Sequence, residues 1–150
     1  MDRRIANTLT SLVVVLTSGA VLTGCGVAKV AVPVPTPNPA IAAACSEIVK
    51  AMPATVDGQE RRSVADSSQL TAAWGDPAIT LRCGVDSPSN LKPESSIMTI
   101  NGIDWFPEQL TAGYRFTTVN SAIFIEVNVP DKYNPEANAL TDITNVLASK

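Results

Sequence analysis

Hydrophobic residues in the C-terminal half of the chain recur at every second position, which is typical of half-buried β-strands. In residues 78–85 the apolar side chains occupy the odd positions, and residues 122–129 repeat the pattern. Residues 114–120 precede the second of these segments closely enough to pair with it as an antiparallel neighbour. The pattern therefore predicts a sheet with one apolar face.

An Asn-Gly dipeptide between two short apolar segments predicts a β-hairpin. Residues 97–100 and 103–105 flank Asn101-Gly102, and this dipeptide favours two-residue turns. Such a turn pairs Ile100 with Ile103 and Met98 with Trp105, so that all four side chains share one face. The alternative is one long strand with a bulge at Gly102.

Helical spacing of apolar residues appears near both ends of this region. Asn38 and Pro39 suit the N-cap and first position of a helix that Pro53 ends. Residues 134–135, Asn-Pro, predict the start of a final helix, whose inner face carries Leu140, Ile143 and Leu147. Residues 66–75 resemble a brief helix with a capping box.

The order of the elements predicts an α+β fold. Strands cluster between two terminal helices, with a short additional strand expected at residues 60–64 and no β-α-β alternation. We expect a two-layer sandwich, in which N- and C-terminal helices cover one face of an antiparallel sheet of four to six strands. This single domain is expected to span residues 40–150.

The first 24 residues have the features of a lipoprotein signal peptide. Two arginines precede an uncharged segment, residues 9–22, which is shorter than the roughly 20 residues that span a bilayer. Residues 22–25 read LTGC, a lipobox, so Cys25 is expected to carry the lipid. A buried helix with an accidental cysteine is the alternative, and Arg3-Arg4 leaves open twin-arginine export in place of general secretion.

Residues 25–39 contain alternating prolines and are expected to form a lipid-anchored stalk. Proline restricts φ and removes amide donors, which favours polyproline II over helix or sheet. Extended, the stalk would reach roughly 40 Å from the lipid. A plain disordered linker, or a proline-rich ligand for a partner, are the alternatives.

Composition removes several classes of function. The 150 residues carry a net charge of -3 and no histidine. An acidic chain lacks the clustered cations that grip nucleic acid, and the absence of histidine excludes Ser-His-Asp and Cys-His mechanisms. No cofactor motif or metal-ligand spacing is present, so we expect neither a cofactor nor a metal.

The three cysteines predict one disulfide. If Cys25 carries lipid, Cys45 and Cys83 remain as an even pair, each on an apolar face of its predicted element. A compartment outside the membrane is oxidising, so the pair should be bonded and structural. A redox-active pair is the alternative, but the C-x-x-C spacing is missing.

Two tryptophans suggest a recognition surface in a chain whose aromatic content is only 5%. Trp74 and Asp76 lie in a turn, while Arg82 and Trp105 lie on predicted strands, and aromatic and charged side chains together suit glycan or peptide contacts. The alternative is that both tryptophans belong to the core.

Three acidic residues in the sheet region are the remaining candidates for catalysis. Asp104, Glu108 and Glu126 could supply the paired carboxylates that a glycosidase needs. The alternative is that they decorate the solvent face of the sheet, and we expect the protein not to be an enzyme.

Three sequence segments resemble a known family. Residues 45–62 read CSEIVKAMPATVDGQERR, residues 73–85 contain AWGDP and LRCGV, and residues 101–105 read NGIDW, with FTTV following at 116–119. Together these resemble the secreted and lipid-anchored actinobacterial proteins grouped as domain of unknown function 3515. The resemblance implies an extracytoplasmic domain with a cysteine pair in a Gram-positive-type envelope, and it implies no particular activity.

These observations predict a lipid-anchored protein on the outer face of the cytoplasmic membrane. We expect it to bind an envelope protein, or a cell-wall glycan or peptide, and to have no nucleic-acid partner. The alternatives are a small carboxylate-dependent hydrolase and a structural subunit of a membrane complex.

Overall fold

The computed structural model describes residues 28–66 and 68–149. The expected signal peptide and the expected lipidation site, Cys25, lie outside the described residues. Within them the chain forms two α-helices, eight strands and one turn of 3-10 helix. In chain order these are α1 (Pro39–Ala51), β1 (Thr55–Val56), β2 (Gln59–Arg62), β3 (Thr71–Trp74), β4 (Ile79–Val85), β5 (Met98–Ile100), β6 (Ile103–Leu110), β7 (Gly113–Val119), β8 (Phe124–Pro130), the 3-10 turn Asp131–Tyr133 and α2 (Ala137–Ala148).

The strands form one antiparallel sheet in the order β1-β2-β3-β4-β8-β7-β6-β5. This confirms the α+β class with its antiparallel sheet, but the expected four to six strands is too low a number. The short strand expected at residues 60–64 corresponds to β2. The two strands that were not expected lack the alternating pattern of a half-buried strand, because β1 has only two residues and all four residues of β3 are buried.

The brief helix expected at residues 66–75 is wrong, because the second half of this segment is β3. Ala72 and Trp74 pair with Leu81 and Ile79 of β4, and the alternate residues of β3, Thr71 and Ala73, are buried on the opposite face. A strand that is buried on both faces loses its period of two. The resemblance of this segment to a capped helix was therefore misleading.

Both helices lie on the face of the sheet that carries Cys83 and Trp105. Cys45 of α1 is joined to Cys83 of β4 by a disulfide, with Cα atoms 5.5 Å apart. Thr144 of α2 accepts a hydrogen bond from Trp105 of β6. α2 also contacts β1 at one edge of the sheet and β5 at the other, so the sheet curves around this helix.

The hairpin at Asn101-Gly102 is confirmed in its predicted register. Ile100 pairs with Ile103 and Met98 with Trp105. Asn101 has φ 47° and Gly102 has φ 80°, and two successive positive values are what a type I′ turn requires. The alternative of a single bulged strand is therefore wrong.

The two helix starts had different outcomes. Asn38 caps α1, because its Oδ1 accepts a hydrogen bond from the amide of Ile41 at 3.0 Å. Asn134 does not cap α2, which begins at Ala137. The 3-10 turn precedes Asn134, and buried Tyr133 donates its hydroxyl to the carbonyl of Pro77 at 2.7 Å. This tertiary contact holds the chain ahead of α2 in a non-helical path.

The described part of the proline-rich segment lies against the domain, contrary to the expected stalk. The amide of Val30 donates to the carbonyl of Ser63 at 2.9 Å, and Arg82 Nε donates to the carbonyl of Pro33 at 2.8 Å. Val32 and Pro35 are buried. Proline removes amide donors but leaves carbonyl acceptors and apolar rings, so an extended proline-rich segment can still pack on a sheet. Residues 28–38 thus belong to the folded domain.

Candidate functional site

The two tryptophans do not form a recognition surface, because both are fully buried. Trp74 Nε1 donates to the carbonyl of Pro53 at 3.0 Å, and Trp105 Nε1 donates to Thr144 Oγ1 at 3.2 Å. Each indole therefore fills the core and has its one polar atom satisfied. The expectation of exposed aromatic contacts is wrong, and the alternative of core tryptophans describes the structure.

Asp76 and Arg82 do not complete a site with the tryptophans either. Asp76 lies in the β3–β4 turn with its side chain 89% exposed, 3.7 Å from Arg62 Nη1. Arg82 extends from the sheet face opposite the helices, where it contacts Glu126. The four predicted residues are thus divided between the core, a turn and the second sheet face.

The sheet face opposite the helices carries a buried carboxylate between two arginines. Glu126 Oε1 is 3.0 Å from Arg82 Nη1, and its Oε2 is 3.5 Å from Arg115 Nε. Asn128 Nδ2 also donates to Oε1 at 3.2 Å. Because Arg82 also binds the carbonyl of Pro33, the cluster joins β4, β7 and β8 to the N-terminal segment. We interpret it as a structural cross-link whose one carboxylate is already paired.

The three candidate catalytic carboxylates have separate surroundings. Asp104 accepts hydrogen bonds from Thr99 Oγ1 at 2.6 Å and Asn120 Nδ2 at 2.9 Å, and these bonds lower the pKa of its carboxyl. Glu108 accepts from Asn90 at 3.0 Å. The strand register places the Cα atoms of Asp104, Glu108 and Glu126 roughly 12–14 Å from one another.

One polar cleft does contain two acids. Asp86 and Glu126 line it together with Arg82 and residues 34–36, and its volume is about 340 Å³. Both oxygens of Glu126 are engaged by arginines. A carboxylate whose two oxygens are both occupied by arginines is a poor nucleophile.

A second cavity lies between the two helices and is mainly apolar. This aliphatic pocket has a volume of about 330 Å³. Asp104 and the turn formed by residues 120–122 also line it, so a polar edge borders the apolar surface. The larger aliphatic side chains that line it come from α1, α2, β6, β7, β8 and the turn before β8: Ile48, Leu147, Ile103, Val119, Ile125 and Ile123.

A third cavity, of about 480 Å³, lies between α1 and the β2–β3 edge. Three cations line this basic pocket, Lys50, Arg61 and Arg62, against the single acid Glu47. Arg61 is partly committed elsewhere, because its guanidinium donates to the carbonyls of Val49 and Met52 at the end of α1. Partial burial lowers the pKa of this arginine.

The comparison with protein families agrees with the sequence resemblance. A family model described as "Protein of unknown function (DUF3515)" matches residues 6–150. The chain belongs to this family. No curated protein and no solved structure matches the DUF3515 chain.

Two further observations apply to the described part of this DUF3515 protein. Residues 28–66 and 68–149 contain no helix that is long and apolar enough to cross a membrane. The same residues contain no group of three or more Cys, Asp or Glu side chains arranged to hold a metal ion.

Neither pocket was predicted from the DUF3515 sequence. Lys50 is separated from the Arg61-Arg62 pair along the chain, and Ile48 from Ile123 by more than half of the domain. The only local signal was the cationic pair itself, which a charged strand edge explains equally well. The pockets depend on α1 lying across the sheet, which residue spacing does not encode.

Proposed function

We propose that this protein is a lipid-anchored accessory module of the cell envelope that binds an envelope protein through the aliphatic pocket. The observation that carries the proposal is the apolar cavity left open between α1 and α2. Soluble domains normally fill such gaps with their own side chains, because an open apolar surface forfeits burial free energy.

Two features support a location outside the cytoplasm. The lipobox at residues 22–25 has the form expected of a lipoprotein precursor, with Cys25 as the acceptor. The disulfide between Cys45 and Cys83 is consistent with secretion, since such bonds form and persist in oxidising compartments. The actinobacterial, Gram-positive-type envelope remains part of the same proposal.

The chemistry of the aliphatic pocket favours a protein segment as the occupant. About 330 Å³ accommodates two or three aliphatic side chains, and the bordering Asp104 carboxylate can accept a hydrogen bond or pair with a cation. The hydrogen bonds from Thr99 and Asn120 lower the pKa of this carboxyl below its usual value, so it is ionised at neutral pH like an ordinary aspartate. The expected partner segment therefore has apolar side chains next to a lysine or arginine.

The two competing functions lack comparable support in the described residues. A glycan site usually relies on an exposed aromatic face, and both tryptophans are buried. A hydrolase needs two carboxylates about 5–10 Å apart, with freedom to react. Glu126, one of the two acids that line the polar cleft, is paired with two arginines.

Replacement of Cys25 tests the anchor. The Cys25→Ala precursor should escape lipid transfer and lipoprotein processing, whereas the parent should be recovered from membranes as a processed, acylated protein. The measurement is cell fractionation with mass spectrometry of the N-terminal peptide. A parent protein that is processed elsewhere and carries no lipid would contradict the anchor.

A charge placed in the aliphatic pocket tests the binding site. Ala122 is exposed in the turn that lines the pocket, and Ala112 is exposed in the β6–β7 turn outside it. We expect Ala122→Glu to abolish photo-crosslinking of an envelope protein from a probe in the Leu147 position, while Ala112→Glu leaves crosslinking unchanged. Equal thermal melting of both variants is the folding control.

The crosslinking result also separates the other occupants. Crosslinks that form only to lipid acyl chains, or crosslinks that survive Ala122→Glu, would contradict a protein partner at this pocket.

A further inference from the structure

The lipid anchor enters the folded domain beside the basic pocket. Residues 28–38 pack on the sheet, so only residues 25–27 separate the proposed lipid from the domain. At no more than about 3.5 Å per residue, three residues cannot reach further than about 10 Å. The carbonyl of Ala28 accepts a hydrogen bond from Arg62 Nη2 at 2.7 Å, and Arg62 lines the basic pocket. A domain tethered this closely must keep this region near the membrane surface.

The basic pocket carries more positive than negative charge, and two buried polar atoms of its lining residues have no hydrogen-bond partner among the described residues. Lys50 and Arg62 contribute positive charge, and the acids nearby are Glu47 in the lining and Asp76 at 3.7 Å from Arg62. Thr71 Oγ1 and Arg62 Nε are buried and have no hydrogen-bond partner among the described residues. Thr71 is only 3% exposed, and its pairing with Arg82 places this hydroxyl on the sheet face opposite α1 and Lys50.

We propose that the basic pocket binds the phosphate of an anionic lipid headgroup in the membrane that holds the anchor. The inference rests on the lipid anchor of the proposed function and adds a second, reversible membrane contact. A headgroup phosphodiester offers a negative charge and acceptor oxygens, which suit the cations and hydroxyls that line the pocket. The short tether confines the pocket to the membrane surface. Anionic phospholipid is present there at high local concentration.

The charge of the whole chain would orient the domain on the membrane. The protein carries a net charge of -3, so most of its surface is repelled by an anionic membrane. The cations around the anchor exit are attracted to the same surface, with an effect on the order of fivefold in binding per lysine or arginine. One face is therefore held toward the lipid, which leaves the rest of the domain accessible to partners.

Amide hydrogen exchange of the full processed protein in lipid nanodiscs tests the inference. The discs contain phosphatidylcholine alone or with roughly one third phosphatidylglycerol, an anionic fraction that attracts basic surface groups. We expect peptides covering residues 59–66 and 68–74 to exchange about fivefold more slowly in the anionic discs, as one cation contact would produce. Peptides from the β6–β7 turn should exchange equally in both.

A matched pair of charge reversals makes the test specific. Lys50 lines the pocket, whereas Lys92 is exposed in the loop between β4 and β5 and outside it. Lys50→Glu should abolish the difference between the two kinds of disc, and Lys92→Glu should retain it. These substitutions avoid Arg62, whose contacts with Gly75 and Ala28 support the fold.

Three outcomes would overturn the inference. They are equal exchange of the parent protein in both discs, equal behaviour of the two lysine variants, and slowed exchange in neutral discs when inorganic phosphate alone is added. A protein that neutral discs fail to retain would instead contradict the anchor of the proposed function. Retention by neutral discs without a response to phosphatidylglycerol would contradict the headgroup site alone.

Discussion

The hydrogen bond between Trp105 and Thr144 joins β6 to α2 inside the core, where both side chains are fully buried. Thr144→Val keeps the volume but leaves the indole N–H without an acceptor. We expect a loss of about 1–3 kcal/mol in the free energy of unfolding, measured by chemical denaturation. Thr144→Ser retains the hydroxyl and should keep the N–H satisfied, losing only the packing of one methyl group. Equal stability of the Val and parent proteins would show that the bond contributes nothing.

Asp104 is the residue whose ionisation depends most clearly on its neighbours. Hydrogen bonds from Thr99 and Asn120 lower its pKa in the folded protein. A lowered pKa stabilises the fold above the unfolded value, about pH 4, and this contribution disappears as pH falls through the folded value. The stability difference between the parent and Asp104→Asn should therefore be constant near neutral pH and shrink below about pH 4. NMR titration of Thr99→Val should show the Asp104 pKa moving upward.

At the scale of elements, the N-terminal segment, residues 28–38, can pack against the sheet because Gly84 has no side chain. A Cβ at this position would lie 2.7 Å from Pro37 Cγ and 3.4 Å from Cys45 Sγ, and Gly84 also has φ +86°. Gly84→Ala should release the segment and expose residues 28–38 to limited proteolysis. Gly58→Ala is the control, because Gly58 has a similar φ of +70° and nothing within 4 Å of its Cβ position.

Comparing Gly84→Ala with Gly58→Ala separates the effect of backbone strain from the effect of displacing residues 28–38. Both alanine variants carry the strain of a positive φ, about 1–3 kcal/mol. Only Gly84→Ala adds the collision with Pro37, so it should be the less stable and the more readily cleaved. Equal cleavage of the two variants would mean that the segment does not depend on this contact.

At the scale of the whole molecule, the disulfide is the one covalent link between side chains that joins the helix layer to the sheet in the described residues. It joins positions 38 residues apart, and removal of such a loop constraint costs roughly 4 kcal/mol in the chain-entropy view. We expect reduction with dithiothreitol to lower the thermal midpoint by well over 10 °C, since each kcal/mol corresponds to roughly 4–8 °C in a small domain. The Cys45→Ala, Cys83→Ala double variant should melt where the reduced parent does and be insensitive to reductant.

Local regularity explains which parts of the fold were predictable. α1, the Asn101-Gly102 hairpin and the β7–β8 pair each show a period or a turn signal within a few residues. β3 and the docked segment 28–38 show none, because their burial comes from distant parts of the chain. The strand count was therefore underestimated, and the proline-rich segment was expected to extend from the domain.

The sequence alone determined the class of fold, the cysteine pair and the family, because each is recorded in composition, periodicity or a short motif. The tertiary structure decided which side chains are accessible. It buried both tryptophans, divided the predicted surface residues between separate faces, and brought Lys50 of α1 to the Arg61-Arg62 pair of β2. The physical reason is that a pocket forms where elements remote in sequence meet, and only the packing of the whole chain brings those elements together.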